Sequence, residues 1–160
     1  MMGSAKEIFV DTTAWVAMED AADPACEATL DESRRLLGEG YHLVTTNFVL
    51  DEVYTILKSH MGHAASMRFG EKIRTSTLIS VVIVSPAMED EAWRAFEHDA
   101  DSSATYTDFV SWAVMRRRSI EFALSCDLNF LRAGFEVFPR PEHDEQNPND
   151  EELLDIEPDI

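Results

Sequence analysis

The stretch "EIFVDTTAW", residues 7–15, decides the fold. Ile8, Phe9 and Val10 are the aromatic and β-branched residues that suit a buried strand, and Asp11 follows them with no spacer. Thr12 then opens a segment, residues 12–20, that reads as a short helix. A carboxylate in that place has two readings. It is the N-cap of the helix starting at Thr12, or it is one corner of a charged site at the end of a strand.

The same arrangement returns late in the chain, where Asp127 follows "FALSC" in the stretch "FALSCDLNF". Between the two, apolar runs alternate with helical patterns. Residues 41–46, 78–84, 121–126 and 135–138 read as strands, with "LISVVIV" at 78–84 as a buried one. Residues 25–38 read as an amphipathic helix, with Ala28, Leu30, Leu36 and Leu37 set among charges and Gly38 and Gly40 ending it. Residues 47–61 are helical, capped by Asn47 or Thr46 and ended by Gly62. Residues 63–77, 86–100 and 106–118 are helical as well, and a short helical turn reaches Gly134. Alternation of this kind predicts an α/β fold of three layers, a mainly parallel central sheet flanked by helices. Ligands bind such sheets at the carboxyl ends of the strands, which is where Asp11 and Asp127 fall.

At 160 residues the chain is read as one domain, residues 1–140. Pro139 and Pro141 close it, and residues 141–160 form an acidic tail that is expected to be disordered. Cys26 and Cys126 lie too far apart in sequence for a zinc motif and are too few for a disulfide framework. No run approaches the roughly 20 apolar residues of a membrane span, and no signal peptide is recognised, so a cytoplasmic location is expected.

The charge is lopsided, with 31 acids against 13 bases and a formal net of −18. Half of that excess lies in the nine acids between Pro141 and Ile160. The remaining surface is still acidic and repels phosphates at long range. A nucleic-acid ligand would therefore need a metal ion or a local basic patch. Ten arginines against three lysines, with so many acids, also fit a salt-adapted host.

Two further acids sit in apolar helices. Glu52 lies inside "FVLDEVYTIL", one turn from both Phe48 and Ile56, so it faces the packed side while Asp51 points elsewhere. Asp108 lies in the first turn of "YTDFVSWAVMRRR", where free backbone amides favour a carboxylate. Four carboxylates converging on one edge would repel and raise one another's pKa values. A hard divalent cation, Mg²⁺ or Mn²⁺, converts that repulsion into binding, since such ions take oxygen ligands. It also activates water for attack on a phosphodiester.

This pattern resembles the PIN-domain family of metal-dependent ribonucleases, which includes VapC-type toxins of toxin–antitoxin pairs. The resemblance covers roughly residues 7–138 and rests on "FVDTTAW", "TTNFVLDEVYTIL", "TYTDFVSWAV" and "FALSCDLNF", in that order. It implies that Asp11, Glu52, Asp108 and Asp127 are the catalytic, metal-binding set. It implies an RNA substrate, an antitoxin partner and a homodimer. Asn129 departs from the charged residue that many relatives carry there, and the acidic tail extends beyond the family's usual end.

The remaining residues keep two readings each. Thr12, Thr13 and Ser125 either support a ligand carboxylate or cap helices. Arg116, Arg117 and Arg118 either contact RNA or answer the dipole at a helix C-terminus. Cys126 is expected as a buried, unreactive thiol. Trp15, Trp93 and Trp112 are expected in the core or at an interface, and the five histidines lack ligand spacing. The tail is a solubilising segment, or it folds over a basic groove and restrains the enzyme. The competing function is a PIN-fold binding module without catalysis. A receiver domain lacks its lysine, since no Lys follows Lys72, and a haloacid dehalogenase-like phosphatase lacks its second Asp, since Thr13 stands there.

Overall fold

The computed structural model of the chain describes residues 5–141. The tail discussed above lies outside the described residues, apart from Pro141. Among these residues five parallel strands form one sheet: β1 (Lys6–Val10), β2 (Tyr41–Thr46), β3 (Ile79–Val82), β4 (Phe122–Leu124) and β5 (Glu136–Phe138). Their order across the sheet is β3-β2-β1-β4-β5. Strand β1 is central, with β2 and β3 to one side and β4 and β5 to the other. The direction of winding therefore reverses beside β1, which makes the gap between the ends of β1 and β4 the switch point of the sheet.

Among the described residues seven helices flank this sheet: α1 (Thr12–Glu19), α2 (Cys26–Gly38), α3 (Asn47–Met61), α4 (His63–Thr75), α5 (Pro86–Glu97), α6 (Tyr106–Arg118) and α7 (Asn129–Arg132). The junction of α3 and α4 turns on Gly62, whose φ of 91° lies in the region that a side chain disfavours. Among the described residues no helix is long and apolar enough to cross a membrane.

Ile8, Phe9 and Val10 are wholly buried because β1 has strands on both sides and helices on both faces. Phe9 stacks on Phe130 at 6.2 Å between ring centroids, which ties β1 to α7. Trp15 packs edge-on against Phe69, and its Nε1–H donates to Thr45 Oγ1 at 3.3 Å. Thr45 Oγ1–H in turn donates to the carbonyl of Val10 at 3.1 Å, fixing the last peptide before Asp11.

Three expectations are corrected. The run at 78–84 is a four-residue edge strand and not a buried one: β3 pairs only with β2, and Ile83 is 70% exposed. Helix α2 buries Thr29, Ser33 and Leu36, spaced four and three apart, while Ala28 is exposed; the apolar pattern read one face too far round. Cys126 is exposed, because β4 stops at Leu124 and the chain has already turned out of the sheet. The open choice of cap for α3 falls to Thr46, whose hydroxyl accepts the Val49 N–H, while Asn47 Oδ1 accepts the Val84 N–H from across the sheet edge.

Phe9→Ala is expected to lower the unfolding free energy by about 3–5 kcal/mol, since it empties a fully enclosed ring site. Ile83→Ser should change it by no more than about 0.5 kcal/mol. Urea denaturation of the two variants beside the parent checks the contrast.

Candidate active site

Asp11 is 2% exposed, at the switch point between the ends of β1 and β4. Its backbone N–H continues the β1–β4 ladder by donating to the Leu124 carbonyl at 3.0 Å. It occupies the N-cap position of α1, yet its side chain makes no capping hydrogen bond. Its Oδ2 instead accepts from Thr13 Oγ1 at 2.8 Å and from Ser125 Oγ at 3.0 Å. Both hydroxyls are oriented from behind: Thr13 Oγ1 accepts the Cys126 N–H, and Ser125 Oγ accepts the Asp127 N–H. Burial pushes the Asp11 carboxyl up from its ordinary pKa, and the Thr13 and Ser125 hydrogen bonds oppose that push.

The other three acids are tied to this edge by the neighbours that hold them and by charge: Asp11 and Asp127 both act on Asp108. Glu52 lies one helical turn beyond Phe48 on α3, with its Oε1 accepting from Thr12 Oγ1 at 2.8 Å, and Asp51 is exposed as its helical phase requires. Asp108 is buried at the start of α6 in a capping box: Thr105 N–H donates to its Oδ2 at 2.8 Å, and its own N–H donates to Thr105 Oγ1. Its carboxyl is pushed up to about 6, first by burial and then by the negative charges of Asp11 and Asp127, against the Thr105 amide that lowers it. Asp127 follows β4 and is half-buried. The Asn129 backbone N–H donates to its Oδ1 at 2.8 Å and Asn129 Nδ2–H to its Oδ2 at 3.1 Å.

Among the described residues none of the four carboxylates is paired with Lys, Arg or His. Among the same residues no three Asp, Glu, His or Cys side chains stand close enough together to enclose an ion. The donor chemistry nonetheless fits a hard divalent cation. It offers oxygen atoms only, with excess negative charge and no basic side chain to offset it. Asp11, Glu52, Asp108 and Asp127 are the residues that would hold such an ion, with Thr12, Thr13 and Ser125 orienting two of them.

The arginines lie elsewhere. Arg117 and Arg118 stand about 13 Å or more along α6 from Asp108, by helical rise. Arg117 pairs with Glu91 on α5, and Arg118 with Glu7 at the opening of β1, the end of that strand remote from Asp11. The Arg116 guanidinium lies over the Phe135 ring at 5.5 Å. The structure does not bring Arg116 or Arg117 to the carboxylates. The fold also places two polar residues here: Asn129, which the sequence marked only as a departure from its relatives, and Ser103, which sequence reading passed over. Asn129 is buried against Asp127, and the hydroxyl of Ser103 donates to Asn129 Oδ1 at 3.3 Å.

A parallel sheet in the order β3-β2-β1-β4-β5 with a buried aspartate at its switch point is the architecture of a PIN-type nuclease domain. The PIN domain model matches residues 8–136, and the chain belongs to the PIN-domain family. It is an enzyme of the nuclease class. It is 36% identical over 136 residues to the 23S rRNA-specific endonuclease VapC20 of Mycobacterium tuberculosis, in two strains, across 84% of this chain and 99% of that protein. The crystal structure of VapC20, a Sarcin-Ricin loop cleaving toxin, superposes with a TM-score of 0.72 at 32% identity, covering 80% of this chain and 95% of that one. VapBC2 from Rickettsia felis, solved bound to a promoter DNA fragment, shares the fold at a TM-score of 0.61 and 10% identity, over 82% of this chain and 96% of that one.

The raised pKa of Asp108 carries a sign. In the metal-free protein its folded value is about 6 against 3.8 for the ordinary group, so the folded state holds the proton more tightly. Stability from this group is full below pH ~4 and is lost as pH rises through about 6, by on the order of 2–3 kcal/mol. Asp108→Asn keeps an acceptor for the Thr105 amide and removes the charge. It should leave stability at pH 4 unchanged and raise it at pH 7.5, as read by urea unfolding in EDTA.

Proposed function

We propose that the chain is a divalent-metal-dependent endoribonuclease, the toxin of a toxin–antitoxin pair. The observation that carries this is the placement of Asp11, buried and hydroxyl-held at the switch point, with Glu52, Asp108 and Asp127 tied to the same edge and no basic side chain among them. The near-full-length similarity to VapC20, named for 23S rRNA, supports RNA as the substrate and makes 23S rRNA the first to try.

When bound, Mg²⁺ or Mn²⁺ supplies a water of lowered pKa and neutralises charge that builds on the phosphodiester. The chain's own residues prepare that chemistry. Thr13 and Ser125 hold Asp11 in one rotamer through hydrogen bonds at 2.8 and 3.0 Å. Thr12 turns Glu52 toward the same edge, and the Thr105 amide fixes Asp108. The unoffset acids keep a phosphate out unless a cation comes with it, which makes metal dependence a consequence of the electrostatics.

The antitoxin partner is supported by the similarity to a VapC toxin. A homodimer is supported by α5, which leaves Trp93 51% and Phe96 36% exposed, an apolar face of the kind a second copy covers.

Purified protein is expected to cleave 23S rRNA with Mn²⁺ or Mg²⁺ and to stop in EDTA. Asp11→Asn should fold and lose at least about a hundredfold in rate, several kcal/mol of transition-state stabilisation. Equal cleavage by that variant, or by the parent in EDTA, would sink the reading, whereas no cleavage with either metal would favour a non-catalytic binding module. Trp93→Glu should shift the mass measured by light scattering from dimer to monomer; an unchanged dimer would place the interface elsewhere.

A further inference from the structure

Asp127 differs from its three companions in how it is held. Asp11 and Glu52 are oriented by hydroxyls, and Asp108 by a backbone amide. Both oxygens of Asp127 are held by one residue, Asn129, through its backbone N–H at 2.8 Å and its side-chain Nδ2–H at 3.1 Å. Asn129 is 5% exposed, and its neighbour Phe130 is wholly buried against Phe9, so the backbone that presents it is anchored in the core.

The orientation of this amide is dictated by chemistry. An ionised carboxylate only accepts, so the NH₂ end of Asn129 must face Asp127. The carbonyl end then faces the Ser103 hydroxyl, which donates to it at 3.3 Å from the connection between α5 and α6. A basic residue in this place would neutralise Asp127 and compete with a cation. An acid would repel it. A neutral amide fixes direction and leaves the charge in place, with a second lone pair on each Asp127 oxygen free to face an ion.

We propose that Asn129 is a positioning residue that holds Asp127 in a ligand-ready orientation, with Ser103 locking the amide of Asn129. This rests on the metal-binding reading of the site. It acts by hydrogen-bonding the carboxylate and so fixing the direction of its oxygens, a kind of contact whose loss costs about 10–100-fold in metal affinity.

The test is calorimetric Mn²⁺ titration, paired with thermal unfolding in EDTA, of the parent, Asn129→Ala, Ser103→Ala and Ser103→Thr. Asn129→Ala should weaken Mn²⁺ binding by about tenfold or more while its metal-free unfolding stays cooperative. Ser103→Ala should weaken it by about twofold to threefold, and Ser103→Thr, which keeps the hydroxyl, should restore it. Asn129→Ala binding within twofold of the parent overturns the inference. If Asn129→Ala fails to fold, exposed Ser103 decides: an Ala variant that binds as the parent does overturns it. A parent that takes up no Mn²⁺ removes the metal reading itself, and this inference with it, a result distinct from a parent that binds and variants that match it.

Discussion

The structure depends on a buried carboxylate that the fold cannot neutralise with a base. Asp11 sits at 2% exposure between the ends of the central strand and β4, where water is scarce and burial penalises its charge. Two hydroxyls, from Thr13 and Ser125, offset part of that penalty, and they reach it from segments 112 residues apart in sequence. The pairing of β1 with β4 is what brings them together, and Asp11 N–H itself extends that pairing to Leu124. The ladder and the site are thus one construction.

Charge is sorted with the same economy. The chain is strongly acidic, yet the arginines are spent on ion pairs away from the carboxylates, with Arg117 on Glu91, Arg118 on Glu7 and Arg35 between Glu32 and Glu39. Exposed pairs of this sort add little stability. Their effect here is to leave the acids at the switch point without basic neighbours. Repulsion among them appears in Asp108, whose carboxyl is pushed up to about 6 by burial and by Asp11 and Asp127. A site in that state favours a cation over any anion approaching alone.

Most of the fold was legible because strand and helix periods are local. The order of elements, the strand ends that carry Asp11 and Asp127, and the inward phase of Glu52 all follow from spacing. The misreadings share one cause. The run at 78–84 is apolar enough for a central strand, but its place at the sheet edge depends on which strands pair, and no local pattern encodes that. Helix α2 buries Thr29 and Ser33 because of what it packs on. Cys126 looks like strand interior, yet β4 ends two residues earlier.

The sequence by itself determined the class of fold, the strand ends that carry Asp11 and Asp127 and the helices that carry Glu52 and Asp108, because residue type and period carry those. It named the threonines and Ser125 only as either caps or supports. Tertiary structure decided between them: Thr46 and Thr105 cap helices, while Thr12, Thr13 and Ser125 hold carboxylates. It also gave Asn129 and Ser103 their place beside Asp127. The physical reason is range. A cap is a bond across three residues, whereas Ser125 meets Asp11 only after the sheet has closed 114 positions of chain between them.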